Sequence, residues 1–194
     1  MGRIHVTSER LVNAQPDAVY QALADYQVKR PQILTPNFLD YTVEKGGRGA
    51  GTEVRYRLRA ARRERPYHMR VDEPLKGWVL TERDQNSSLV TNWTLSPEDD
   101  GQRTRVRVDS EWEGGTGVGG FFERTFAPLG LSRIYRSMLD LLTLLVQPAE
   151  TTRIVATSED DQDVASSLRV VLIAVAAVAA VITGVIVVRK LRNP

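Results

Sequence analysis

A chain of 194 residues with a formal charge of +2 has room for one domain and an appendage. The absence of cysteine excludes a disulfide framework, a zinc ribbon, a thiol nucleophile and a redox pair. The pI near 9 is weak evidence for nucleic-acid binding, because residues 1–149 carry 21 basic and 19 acidic side chains, so no nucleic-acid partner is expected.

The N-terminus, Met1 to Val12, interleaves charges with short apolar runs and has no uninterrupted apolar stretch, so it does not read as a secretory signal. The domain is therefore expected in the cytoplasm. An opening strand over Ile4 to Val12 is followed by Pro16 and Asp17, a helix start, with Val19, Ala22, Leu23 and Tyr26 at helical spacing. A second short helix is expected around Val28 to Leu34, broken by Pro31 and ended by Pro36.

From Tyr41 to Trp112 the period changes to two, punctuated by Gly, Pro, Asn and Asp clusters, which predicts an antiparallel meander of six strands. In the clearest strand Val54, Tyr56, Leu58 and Ala60 share one face, and Glu53, Arg55, Arg57 and Arg59 the other. The same division sets Tyr67, Met69 and Val71 against His68, Arg70 and Asp72, and Val106 and Val108 against Arg105, Arg107 and Asp109. Two further strands lie near Trp78 to Arg83 and Leu89 to Leu95, and His68 is expected to face solvent.

A glycine-rich joint, Gly114 to Gly120, leads into a helical pattern from Phe121 to Val146 that Pro128 and Gly130 are expected to interrupt. Arg133, Arg136, Ser137, Asp140 and Thr143 form its polar stripe, leaving Leu131, Ile134, Tyr135, Met138, Leu139, Leu142 and Leu145 to face protein. Gly115, Gly117 and Gly120 formally match a dinucleotide fingerprint, but no strand follows the helix, so a hinge is the better reading.

The domain division expected is 1–148 for the folded domain, 149–168 for an acidic linker, 169–189 for a transmembrane helix and 190–194 for a basic tail. Val170 to Val188 is nineteen residues without a charge, and at ~1.5 Å per residue it matches roughly 30 Å of hydrocarbon. Positive-inside would place Arg189, Lys190 and Arg192 in the cytoplasm, but exporting the whole domain first is the larger obstacle, so a C-terminal anchor with a cytoplasmic domain is expected. Ala176, Ala180 and Gly184 fall four apart, a stripe through which two such helices could pair as a homodimer.

The order strand, two short helices, six strands and one long helix predicts an α+β domain in which the long helix crosses the hollow of a curved sheet. That order, with Asn13 to Tyr20, the turn Gly49-Ala50-Gly51-Thr52 and the segment Phe121 to Leu145, resembles the helix-grip superfamily. This superfamily includes START lipid-transfer domains, the birch-pollen allergens and the polyketide cyclase/dehydrase-like proteins. The resemblance implies a curved antiparallel sheet of about seven strands and a hydrophobic small molecule or lipid held between sheet and helix. It implies no cofactor, and no acid-base residue of its cyclases can be matched here position by position.

The candidate cavity lining is Tyr56, Leu58, Tyr67, Met69, Val71, Trp93, Leu95, Val106, Val108, Phe122, Phe126 and Met138. Arg55, Arg57 and Arg59 are candidates for contact with anionic headgroups, against the alternative of a solvated sheet face. With two histidines and no cysteine, neither a metal site nor a familiar catalytic motif can be assembled. Three functions stay open: a membrane-tethered carrier of a hydrophobic molecule, a cyclase or dehydrase using tyrosines for proton handling, and a cavity-free interaction module. A cavity with several convergent polar groups favours the second, and an apolar one the first.

Overall fold

The computed structural model describes residues 2–60, 63–114 and 117–147, except for the side chains of 63 and 117–126. The elements in chain order are β1 (Arg3–Val12), α1 (Pro16–Ala24), α2 (Arg30–Ile33), β2 (Phe38–Lys45), β3 (Glu53–Ala60), β4 (Arg63–Leu75), β5 (Val79–Asp84), β6 (Val90–Glu98), β7 (Arg103–Glu113) and α3 (Gly117–Val146). The strands form one antiparallel sheet in the order β1-β7-β6-β5-β4-β3-β2. Consecutive strands β1 and β2 therefore lie on opposite edges. At about 4.8 Å per strand, a flat sheet would separate them by nearly 30 Å, so the connection through α1 and α2 must cross its width. This crossover closes one end of the curved sheet.

Alternation sets the core. Val54, Met69, Val71, Leu80, Trp93, Leu95, Val106, Val108 and Trp112 are buried from the strands, and Ile134, Tyr135, Met138, Leu139 and Leu142 from α3. Helix α1 begins with Pro at its first turn and buries Val19, Ala22 and Leu23.

Two expectations require correction. The second helix covers only Arg30–Ile33, and Pro31 sits in its first turn, where the missing N–H has no intrahelical acceptor to lose. Residues 27 and 28 turn instead, their amides donating to the Asp25 carboxylate at 3.2 and 2.9 Å. Pro128 likewise interrupts nothing: α3 is one helix from Gly117 to Val146 that starts inside the glycine-rich stretch, so that stretch is helical from Gly117 onward. Both corrections arise because a proline's effect depends on which carbonyl it deprives, and tertiary contacts can outweigh one lost hydrogen bond.

The turn before β3 binds the crossover to the sheet. The amides of Tyr26 and Gly49 donate to the carbonyls of Gly47 and Ala24, each at 2.9 Å. Glu73 of β4 accepts from the Ala50 amide at 3.2 Å and from the Tyr20 hydroxyl of α1. Gly49 has φ +59°, and a Cβ there would stand 2.8 Å from a Glu73 oxygen, whereas Gly101 (φ +81°) has open space. Gly101→Ala should lower stability by about 1 kcal/mol from conformation alone, and Gly49→Ala by more, roughly 2 to 3 kcal/mol, because it also displaces the carboxylate. Urea midpoints of the two variants measure the difference; equal losses would show that the turn does not depend on Glu73.

Candidate ligand cavity

The concave face of the sheet, the crossover and α3 enclose a cavity of about 150 Å³. Strands β2 to β4 contribute Phe38, Tyr41, Val54, Tyr56, Leu58, Tyr67 and Met69 to its wall; β6 and β7 contribute Trp93 and Trp112; α3 contributes Ala127, Leu131, Tyr135 and Met138. The rings lie against one another. Tyr56 is 5.1 Å from Phe38 and 5.5 Å from Tyr67 between centroids, and Trp93 meets Tyr135 edge-on at 6.0 Å. The exposed lining residues Arg65, Ser88 and Glu113 mark an opening at the end of the sheet where β4 begins and β5 and β7 finish.

A buried polar cluster lies in this wall. Arg30 of α2 is 3% exposed, and its Nη2 donates to Glu82 Oε1 of β5 at 2.6 Å. The Tyr26 hydroxyl donates to the same oxygen at 2.8 Å. The guanidinium carbon stands 4.2 Å from the Trp93 ring centroid and 5.4 Å from that of Tyr26, so aromatic faces replace much of its lost hydration. Two donors in the cluster, Arg30 Nη1 and Trp93 Nε1, have no hydrogen-bond partner among the described residues.

This environment sets the protonation states. Burial opposes the Arg30 cation most, but the Glu82 carboxylate together with the surrounding Tyr26, Tyr41 and Tyr56 more than offsets it, so the group stays charged. Burial, and next the negative charge of Glu82, push the phenols of Tyr26 and Tyr56 well above their ordinary range. Burial also raises Tyr41 and takes Tyr135 up to about 12. At neutral pH these tyrosines are donors and cannot serve as phenolate bases.

A second polar group fastens α3. The Tyr135 hydroxyl hydrogen-bonds to Ser110, with Thr91 Oγ1 2.6 Å from Ser110 Oγ and 3.4 Å from the phenol. Ser132 lies 3.4 Å from Ser8, and Asp140 forms an ion pair with Arg10. These contacts join the C-terminal half of α3 to the central strands and to edge strand β1.

Of the lining expected from sequence, Tyr56, Leu58, Tyr67, Met69, Trp93 and Met138 stand in the cavity wall. Val71, Leu95, Val106 and Val108 face the same side of the sheet but are packed in the core away from the void. The side chains of Phe122 and Phe126 lie outside the described residues, as do Val170 to Val188 with Ala176, Ala180 and Gly184. No helix among the described residues is long and apolar enough to cross a membrane.

The outer arginines are paired. Arg55 meets Glu44 at 2.7 Å, Arg57 meets Asp40 and Glu64 at 2.6 Å each, and Arg59 meets Glu64 at 2.6 Å. They are not the uncompensated cations that headgroup attraction requires. His68 is on the outer face, but its side chain is only 19% exposed and lies 3.5 Å from both Glu44 and Glu53, a correction to the solvated position expected.

Sequence reasoning missed Arg30, Glu82, Tyr26 and Tyr135 as cavity groups. One signal was present: if Leu80 points inward, two-residue alternation points Glu82 inward as well. Arg30 carried no such signal, because its position depends on the crossover.

The arrangement defines a helix-grip protein with a largely aromatic cavity between sheet and helix. Residues 3–147 match the family described as polyketide cyclase / dehydrase and lipid transport, and the chain belongs to that family. It is similar to KanY protein, known from a solution NMR structure, with 43% identity, a TM-score of 0.67, and 76% of this chain and 100% of that chain covered. It shares the fold of the ZhuI aromatase/cyclase from Streptomyces sp. R1128 at 17% identity and TM-score 0.62, covering 73% of this chain and 92% of that one. It also shares the fold of a START superfamily protein from Mycobacterium smegmatis at 14% identity and TM-score 0.59, covering 74% and 99%. No curated protein matches the sequence.

The buried pair predicts a strong coupling. Arg30→Met or Glu82→Leu alone should lose roughly 3 to 5 kcal/mol by stranding a charge, while the double variant should recover more than half of that. A urea double-mutant cycle measures it, and additive losses would mean the two charges do not compensate each other.

The tyrosines predict alkaline sensitivity. Because the folded-state pKa of Tyr135 is raised from 10 to about 12, its contribution is complete below pH 10 and is lost as the unfolded chain ionises first between pH 10 and about 12. Tyrosinate absorbance should therefore rise together with loss of near-UV dichroism. Ionisation of all six tyrosines near pH 10 in a still folded chain would contradict this assignment.

Proposed function

We propose that this domain is a binding or carrier protein for a hydrophobic small molecule held between sheet and α3, tethered to a membrane by residues 170–188. The observation that carries the reading is a void of about 150 Å³ walled largely by rigid aromatic and aliphatic side chains. A cavity of that size accommodates roughly one aromatic ring and falls far short of a two-chain lipid. The lipid-transport part of the family description agrees with ligand binding. The tether rests on the charge-free run Val170 to Val188, and the reading places the domain on the cytoplasmic side.

A second reading, a cyclase or dehydrase, is favoured by one observation: several polar groups, Arg30, Glu82, Tyr26 and Tyr135 among them, converge on the cavity. With the phenols held protonated, Glu82 is the group that could accept a proton and the tyrosines are proton donors. The carrier reading is preferred because most of the wall is aromatic and aliphatic side chain.

Native mass spectrometry of the full chain, recovered from a membrane fraction whose domain is digested only when the cytoplasmic side is open to protease, tests the proposal. The expected result is a small apolar adduct that Leu58→Trp abolishes without changing far-UV dichroism. Recovery in the soluble fraction removes the tether, and failure of any apolar small molecule to bind removes the carrier.

A further inference from the structure

We propose that the cavity selects a neutral hydroxyarene of about one ring, and that Glu82 reads its hydroxyl. This inference rests on the ligand-binding reading above and adds the chemical class of the ligand.

Three facts about Glu82 and its surroundings carry it. Both protein donors to this carboxylate, Tyr26 and Arg30, use Oε1. Oε2 has no protein donor among the described residues, yet the side chain retains 11% exposure and lines the cavity. An ionised carboxylate oxygen in a dry wall is a strong acceptor whose natural complement is an O–H or N–H from the occupant.

Charge decides which kind of donor fits. The Arg30 cation balances the Glu82 anion, so the cluster is neutral as a unit. A ligand carboxylate would bring an uncompensated negative charge into an apolar cavity and meet Glu82 as a like charge, while a ligand ammonium would bring an uncompensated positive one. A neutral hydroxyl satisfies Oε2 at no cost in net charge.

The body of the ligand follows from the wall. Tyr56 and Tyr67 stack with 28° between their planes, and Trp93 stands edge-on to Tyr135, leaving faces and edges that suit a flat ring. The volume of about 150 Å³ limits the body to about one ring.

Equilibrium dialysis of the full chain against 4-methylphenol, toluene and 4-methylbenzoate, with protein-free detergent as blank, tests the inference. The expected order is 4-methylphenol tightest, by about tenfold over toluene for one hydrogen bond to a charged acceptor, with 4-methylbenzoate weakest. 4-Methylphenol should also displace toluene. In Glu82→Gln the cluster becomes net positive, so 4-methylbenzoate should rise above 4-methylphenol, an inversion that loss of packing alone would not produce. The wild-type ranking is decisive even if that variant does not fold. Equal binding of toluene and 4-methylphenol overturns the hydroxyl subsite and leaves the cavity reading intact, whereas no binding of any of the three overturns both.

Discussion

The structure depends on a buried charge that must be compensated on the spot. Moving a guanidinium out of water is costly by several kcal/mol even after relaxation, and Arg30 is 3% exposed. Glu82 supplies the countercharge, Tyr26 the second hydrogen bond to that carboxylate, and Trp93 an aromatic face. The three partners come from the crossover, β5 and β6. The connection across the open sheet, which has few backbone bonds to any strand, is thereby fixed to the middle of the sheet, as the turn around Gly49 fixes it to β3 and β4. The same cluster makes this part of the cavity wall polar.

The void persists because its neighbours cannot collapse into it. Aliphatic side chains around a gap can change rotamer and fill part of it, but Phe38, Tyr56 and Tyr67 are rigid plates braced against one another, as Trp93 is against Tyr135. From above, α3 is held at a fixed height by the contact of Tyr135 with Ser110 and by the links from Ser132 and Asp140 to β1. A helix held only by leucines could slide or tilt to close the gap. One fastened through directional hydrogen bonds on two strands has much less freedom to do so.

What could be read from the sequence divides along the range of the interactions. Seven strands, the inward face of β3 and the buried stripe of α3 depend on two- and 3.6-residue periods, which are local, and Tyr56, Leu58, Tyr67, Met69, Trp93 and Met138 followed from them. The same alternation could not separate the void from the packed core: Val71 and Val108 share the inner face with Met69 and Trp93, and only the curvature of the sheet decides which of them border empty space. Pro31 and Pro128 looked like breaks because the rule for proline is local, while its outcome depends on its place in the helix and on what the flanking turns pack against. Arg30 and Glu82 are 52 positions apart, and no pattern in either segment signals the other. Only Glu82 was within reach, through its alternation with Leu80.

The distribution of charge separates two jobs that the sequence had joined. On the outer face Arg55, Arg57 and Arg59 are each spent on acids of neighbouring strands, and exposed pairs of this kind contribute little to stability and leave little net field. These three paired arginines therefore give the outer face of β3 no strong attraction of its own for an anionic surface. On the proposed reading, a covalent tether substitutes for that missing affinity: it sets a high effective concentration at the bilayer without any contact between the domain and headgroups. The cavity wall is then free to be shaped by its ligand alone, and a neutral cluster inside a weakly charged shell favours the uncharged molecules that partition into membranes.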